Sequence, residues 1–150
     1  MRTSMFEQHG RFQLGYEQNI IVFIAEGAWN YEASLNATTQ IKYIIDRQQD
    51  TPHAFIFDTK NVEGMTPDAY KTWAEAVDYW LANGFQAIAR VTDPSESHYK
   101  MFIEPFDLKL KEIIPLHFAD DLTMAVIWLH DMGFRGFEQG IDLSQFISNT

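Results

Sequence analysis

The chain has no cysteine in its 150 residues. Disulfides, thiolate nucleophiles and cysteine-ligated zinc are therefore excluded. A reducing compartment suits such a sequence, and a cytoplasmic location is the expectation. No apolar stretch approaches the roughly 18 residues that a membrane-spanning helix needs. The opening residues, MRTSMFEQHGRF, lack the apolar centre of a secretory leader. Phosphate-cradling loops of the GxGxxG and GxxxxGK[ST] types are absent, as is a GxSxG nucleophile elbow. Positive charge is scarce: 11 Lys and Arg stand against 21 Asp and Glu, for a net charge of −10. Counterion release cannot drive such a surface onto a polyanion, so nucleic acid is excluded as a partner. A basic protein partner remains compatible.

What the chain has in quantity is aromatic side chains, 15% of residues, with 12 phenylalanines. That points to a thick core or an apolar pocket. The stretch from Phe55 to Gly84 organises the rest. Ala54-Phe55-Ile56-Phe57 is a short apolar run ending in Asp58, as in a strand covered on both faces. A loop is expected from Thr59 to Met65, with Gly64 free to take a positive φ. Thr66-Pro67-Asp68 then carries helix-start chemistry: a capping hydroxyl, a proline suited to the first turn, and an acid at the positive end of the dipole. Tyr70, Trp73, Ala74, Val77, Trp80 and Leu81 form one stripe of the helix, which Gly84 stops.

Upstream, after an apparent leader over residues 1–10, Arg11–Glu17 and Ile20–Glu26 read as a hairpin turning at Gln18-Asn19. The first alternates as an edge strand does, and the second is apolar throughout. Asn30 caps a helix over Tyr31–Gln49, with Leu35, Thr38, Ile41, Ile44 and Ile45 inward and Asp50-Thr51-Pro52 as its stop. Downstream, Gln86–Val91 is a strand. A helix over Ser95–Glu112 turns Tyr99, Phe102, Ile103, Phe106, Leu110 and Ile113 inward, and Pro105 predicts a break near Met101–Glu104. Leu116–Ala119 is a short strand. Asp120-Asp121 starts a last helix with Leu122, Ala125, Val126, Leu129 and Met132 inward, ending at Gly133. The fold class is α/β: a mixed, mostly parallel five-stranded sheet in the order β-β-α-β-α-β-α-β-α. Residues 1–133 form one domain. Residues 134–150 are a C-terminal extension, packed through Ile141, Leu143 and Phe146 or left as a tail.

Chemistry is sparse. The five histidines make neither HxH nor HxxxH. Asp58 and Glu63 flank the expected loop and could serve as acid and base with a nearby histidine, so a small hydrolase or isomerase is one reading. No metal and no cofactor is expected. Met124, Ile127 and Trp128 on the last helix, and Met101 and Leu108 on the Pro105 helix, lie off the inward stripes. They make a sticky surface unless residues 134–150 cover them.

The run Asp58-Thr59-Lys60-Asn61-Val62-Glu63-Gly64-Met65-Thr66-Pro67 resembles the SpoIIAA-like family, whose third strand runs into a loop with Glu-Gly and Thr-Pro at these places. The resemblance covers Phe12 to Gly133 in element order. It implies a STAS-like fold, the fold of anti-sigma-factor antagonists, similar in shape to CRAL-TRIO lipid-binding domains. It further implies a non-enzymatic module, a small lipophilic ligand or contact with a membrane surface, and a homodimer. The alternative it implies is a regulatory protein–protein module. The residues expected to meet a ligand or partner are Asp58, Glu63, Gly64 and Thr66 of that run with Asp68 after it, and Phe102, Phe106, Met124 and Trp128 of the two late helices. The antagonists are phosphorylated on a serine at the start of this helix. Here that position is Pro67, which has no hydroxyl, so the serine switch is missing.

Overall fold

The computed structural model describes residues 7–48 and 51–150. Residues 1–6 of the expected leader, and Gln49 and Asp50 at the expected end of the first helix, lie outside the described residues. The strands are β1 (Arg11–Glu17), β2 (Ile20–Trp29), β3 (His53–Met65), β4 (Phe85–Val91), β5 (Leu116–Ala119) and β6 (Ile147–Ser148). The α-helices are α1 (Tyr31–Arg47), α2 (Pro67–Ala82), α3 (Glu104–Leu110) and α4 (Leu122–Asp131). One sheet runs β5-β4-β3-β2-β1-β6. The β2–β3, β3–β4 and β4–β5 pairs are parallel, while β1 is antiparallel to β2 and to β6.

The expected class therefore stands, with one strand more. Residues 146–150 supply it. Ile147 pairs with Leu14, and the Asn149 side chain accepts from Phe12 N at 2.9 Å. So β1 is an inner strand and not the edge its alternation suggested.

The other departure concerns Thr59–Met65. These residues continue β3 and do not form a loop. The reason lies in β2, which runs on to Trp29 and offers a ladder as far as the Trp29–Met65 pair. Two register shifts, between Ile24 and Glu26 and between Gly27 and Ala28, absorb the mismatch. A ladder needs only backbone donors and acceptors, so polar side chains do not end it. Gly64 accordingly is not among the residues with positive φ.

Helix ends follow the capping residues. Asn30 accepts from Ala33 N at 3.1 Å, Thr66 from Ala69 N at 3.3 Å, and Asp121 from Met124 N at 2.8 Å. Pro105 enters α3 at its first turn, and Tyr99–Ile103 just before it is a π-helical turn, the expected break.

Because β2, β3 and β4 are apolar on both sides, two cores form. On the first face α1, α2, the π turn and α3 cover Phe23, Phe55, Phe57 and Ile88. Trp73 and Trp80 point inward, edge-on to each other at 6.2 Å, and Trp80 stacks on Phe55 at 4.7 Å. Such pairs add about 0.5–1.5 kcal/mol each beyond their burial. On the second face α4 and the C-terminal segment cover Ile20, Val22, Ile56 and Ala89. Phe134 and Phe137 are buried there, ahead of the expected anchors. Of those, Ile141 and Phe146 are partly buried, whereas Leu143 is exposed. Gly136 is required at its place: its φ is +130° and an added β-carbon would strike Glu17 O.

Three further residues expected inward are exposed: Leu35, Ile113 and Met132. On α1 the small residues Ala33, Ser34 and Ala37 face in beside the expected Thr38, bringing the helix close to α2. Ser34 Oγ accepts from Trp73 Nε1 at 3.0 Å across that contact. Ile113 lies past the end of α3, and Met132 past the end of α4.

A charged cluster holds α3 to the sheet. Arg90 lies on β4 and Asp107 on α3, and both are nearly fully buried. Arg90 donates to both carboxylate oxygens of Asp107, through Nε at 3.0 Å and Nη2 at 2.5 Å, and Tyr99 Oη donates at 2.8 Å. Arg90 also lies over the Phe57 ring, 5.1 Å from its centroid. Removing one charge strands the other. Asp107→Ala or Arg90→Ala should each destabilise by about 3–5 kcal/mol, and Arg90→Met/Asp107→Leu together by much less. Urea titration of the three variants checks this.

Candidate functional site

The expected site residues fall into three places. Glu63, Gly64, Thr66 and Asp68 lie where β3 passes into α2. Glu63, Thr66 and Asp68 are exposed. Phe102 of the π turn stands over Gly64, where an added β-carbon would lie 3.8 Å from Phe102 Cζ. Phe106 of α3 packs on Tyr70 of α2, with centroids 4.5 Å apart. Gly64, Phe102 and Phe106 thus share the end of the first face where α2 begins, with Thr66 and Asp68 at the start of that helix and Glu63 exposed beside Gly64.

Asp58 does not join them. Along β3 it follows Ala54 and Ile56 onto the second face, whereas Phe55, Phe57 and Thr59 face the first. Its carboxylate is buried, accepts from Lys60 N at 3.1 Å, and lies 3.8 Å from Lys60 Nζ. Burial pushes its pKa above the ordinary carboxylate range, against the smaller opposing pull of Lys60.

Met124 and Trp128 sit on α4, also on the second face. Trp128 stacks on His117 of β5 at 5.0 Å, and Met124 is half exposed. Phe102 and Phe106 therefore do not share a face with Met124 and Trp128, because α3 and α4 cover opposite faces. The C-terminal segment leaves Met124 and Ile127 about half exposed, as Met101 and Leu108 are on the first face.

The acid–base reading needs a histidine beside Asp58 or Glu63. Among the described residues no histidine ring hydrogen-bonds to either carboxylate. His130 Nε2 meets Gly136 O at 2.7 Å, His117 stacks on Trp128, His98 pairs with Glu96, and His53 lies against Phe55 and Phe85. Nor do the described residues hold a cluster of three or more acids and histidines able to bind a metal.

Behind the first-face end lies an apolar cavity of about 50 Å³, lined by residues of the sheet, α2, the π turn and α3. Phe106 borders it, as do Trp29, Thr59 and Arg90, which the sequence reading did not single out. Arg90 had a visible signal, a lone charge in the apolar strand FQAIARV. Trp29 and Thr59 had none, because each lies in a segment that reads as a turn or loop.

Comparison with known proteins agrees with the architecture. No protein-family model and no curated protein sequence matches the chain. Solved structures do. One is an uncharacterised DUF3478-family protein with a SpoIIAA-like fold from Shewanella loihica PV-4 (TM-score 0.58, 12% identity, 86% of this chain and 98% of that one). Another is an anti-sigma factor antagonist from Mycobacterium paratuberculosis (TM-score 0.52, 16% identity, 87% of this chain and 100% of that one). The fold is SpoIIAA-like, of the STAS type. No described helix is long and apolar enough to cross a membrane.

Asp58 yields a pH-dependent test. Its folded pKa lies above the unfolded value, so the cost of burying the charge is fully present at neutral pH. That cost is relieved as pH falls through the folded value towards about 3.9. Asp58→Asn keeps an acceptor for Lys60 N and should raise the melting temperature at neutral pH. The gain should shrink on acidification and vanish below the unfolded value. His53 acts in the opposite sense: burial lowers its pKa, so stability falls as pH drops below about 6.5. Melting curves of wild type and Asp58→Asn across this range separate the two.

Proposed function

We propose that the protein is a non-enzymatic regulatory module that docks a protein partner through the exposed edge from Glu63 to Asp68. What carries this is the state of the helix start. Thr66 Oγ1 donates to Asp68 Oδ1 at 2.6 Å and accepts from Ala69 N, so the hydroxyl is spent as a cap. Pro67 stands where the antagonists' serine would be. The edge therefore works without a serine phospho-switch, by shape and charge.

Support comes from three sides. The fold is shared with an anti-sigma factor antagonist, which fixes the scaffold and leaves the partner open. Glu63 and Asp68 give the edge a negative sign, in keeping with the net charge of −10. A basic surface on the partner is the complement, and charge of this kind governs encounter rate and specificity. The carboxyl end of parallel strands is also where α/β sheets most often place their sites.

The test is affinity capture from extract of the native host, then titration of the captured protein against variants. Glu63→Arg and Asp68→Arg should each weaken binding about tenfold or more, a like-charge effect of at least about 1.4 kcal/mol. Far-ultraviolet circular dichroism should be unchanged. Wild-type affinity in both variants would remove the Glu63–Asp68 edge as the docking surface.

A further inference from the structure

The sheet ends at β5 on one side. Ile88 N donates to Pro115 O at 3.0 Å, and the parallel pairing sets Ile88 opposite Leu116. By alternation, the backbone N–H and C=O groups of Leu116 and Phe118 point away from β4. Among the described residues no backbone group pairs with them. Open edges are ordinarily blunted by charged side chains, lysine above all. β5 reads Leu-His-Phe-Ala and carries none.

Apolar groups flank this edge on both faces. On the first, Phe118 is 40% exposed and meets Tyr99 edge-on at 5.7 Å. On the second, Trp128 of α4 stacks on His117. Met124 and Met132 stand one turn before and one turn after Trp128, on the same side of α4, and are 50% and 42% exposed. A surface helix normally turns charge to the solvent. α4 carries none before Asp131, and over residues 113–130 the only charged side chains are Asp120 and Asp121.

The occupant must supply a strand for the edge and an apolar helix side for Met124 and Trp128. It must also suit a surface without charge. A basic partner finds little to pair with here, and residues 113–130 hold no Lys or Arg to grip an anionic lipid surface. A second copy of the chain meets each demand with the same residues. Two copies at −10 each repel, so they join best where charge is missing. A two-fold axis normal to the sheet runs the two β5 strands antiparallel and keeps both α4 helices on one side. Asp120 and Asp121 of each copy then lie towards the Lys111–Glu112 end of the other, whose charges balance. The four-residue strand holds the two acidic pairs about 13 Å apart. Parallel pairing sets them against each other.

We propose that two copies of the chain pair through β5, antiparallel about a two-fold axis, with the Met124–Trp128–Met132 sides of their α4 helices facing one another on the second face. The sheet then continues through both copies. The contact shares no residue with the Glu63–Asp68 edge and does not depend on partner docking there.

The experiment is sedimentation of the full chain across the micromolar range, with amide hydrogen exchange read from nitrogen-15 spectra of the same samples. The expected result is a species of twice 17.4 kDa that dissociates on dilution. Exchange at the Leu116 and Phe118 amides should slow as the dimer fills. Met124→Glu and Phe118→Lys each bring two like charges to the axis and should raise the dissociation constant about tenfold or more. Glu63→Arg should dimerise as the wild type does. Should Phe118→Lys not fold, Met124→Glu and the exchange data still decide. A monomer at every concentration overturns the proposal, and its binding to phosphatidylcholine vesicles, lost in Met124→Glu, assigns the surface to lipid instead. A dimer indifferent to Met124→Glu lies elsewhere and overturns it. So does a dimer in which exchange at Leu116 and Phe118 stays fast.

Discussion

The architecture depends on a central strand that cannot tolerate water on either side. Along β3, Phe55 and Phe57 require cover on one face, and Ala54 and Ile56 on the other. A single layer of helices satisfies only half of this. The chain must therefore divide its later elements between the two faces. It sends α1, α2 and α3 to one and α4 with the C-terminal segment to the other. From that division comes the separation of Phe102 and Phe106 from Met124 and Trp128. It also sets which residues of β3 look toward the cavity and which toward α4.

The two faces are covered differently. The first is a pile of large rings, Phe23, Phe55, Phe57, Trp73 and Trp80, joined at edges and faces. Rings fill space well but do not interdigitate as freely as branched aliphatic chains. A residual gap beside them, bordered by Thr59 and Trp29, is the geometric consequence. The second face uses small residues, Ala54, Ala87, Ala89, Ala119 and Ala125, among its larger ones. The Arg90–Asp107–Tyr99 cluster sits at the margin of the ring-rich face. There it fixes a short helix whose apolar side, Phe106 and Leu110, packs into the same face.

Much of this was legible in the residues, and the parts that were not share a cause. Asn30, Thr66-Pro67 and Gly84 each act through local chemistry, so the boundaries of α1 and α2 could be placed from sequence. Pro105 announced a break because a missing amide is a local fact. The extension of β3 through Lys60, Asn61 and Glu63 depends on the backbone of β2, far away in sequence, and no side chain advertises it. The same holds for β6, whose partner is β1. Leu35 was misplaced because periodicity gives the apolar stripe but not which edge of it meets the neighbour. At the site, the capping residues and the Phe102–Gly64 proximity follow from neighbouring elements. The burial of Asp58 away from Glu63 is set by strand alternation continuing where a loop was expected.

The closing of the sheet by residues 147–150 against residues 10–14 has a temporal side. Asn149 reaches back to Phe12 N and to Gly10 O. These contacts join residues 137 and 139 positions apart in sequence, so they are among the slowest to form. Until they form, the outer edge of β1 stands open, a template for wrong pairing that residues 147–150 remove.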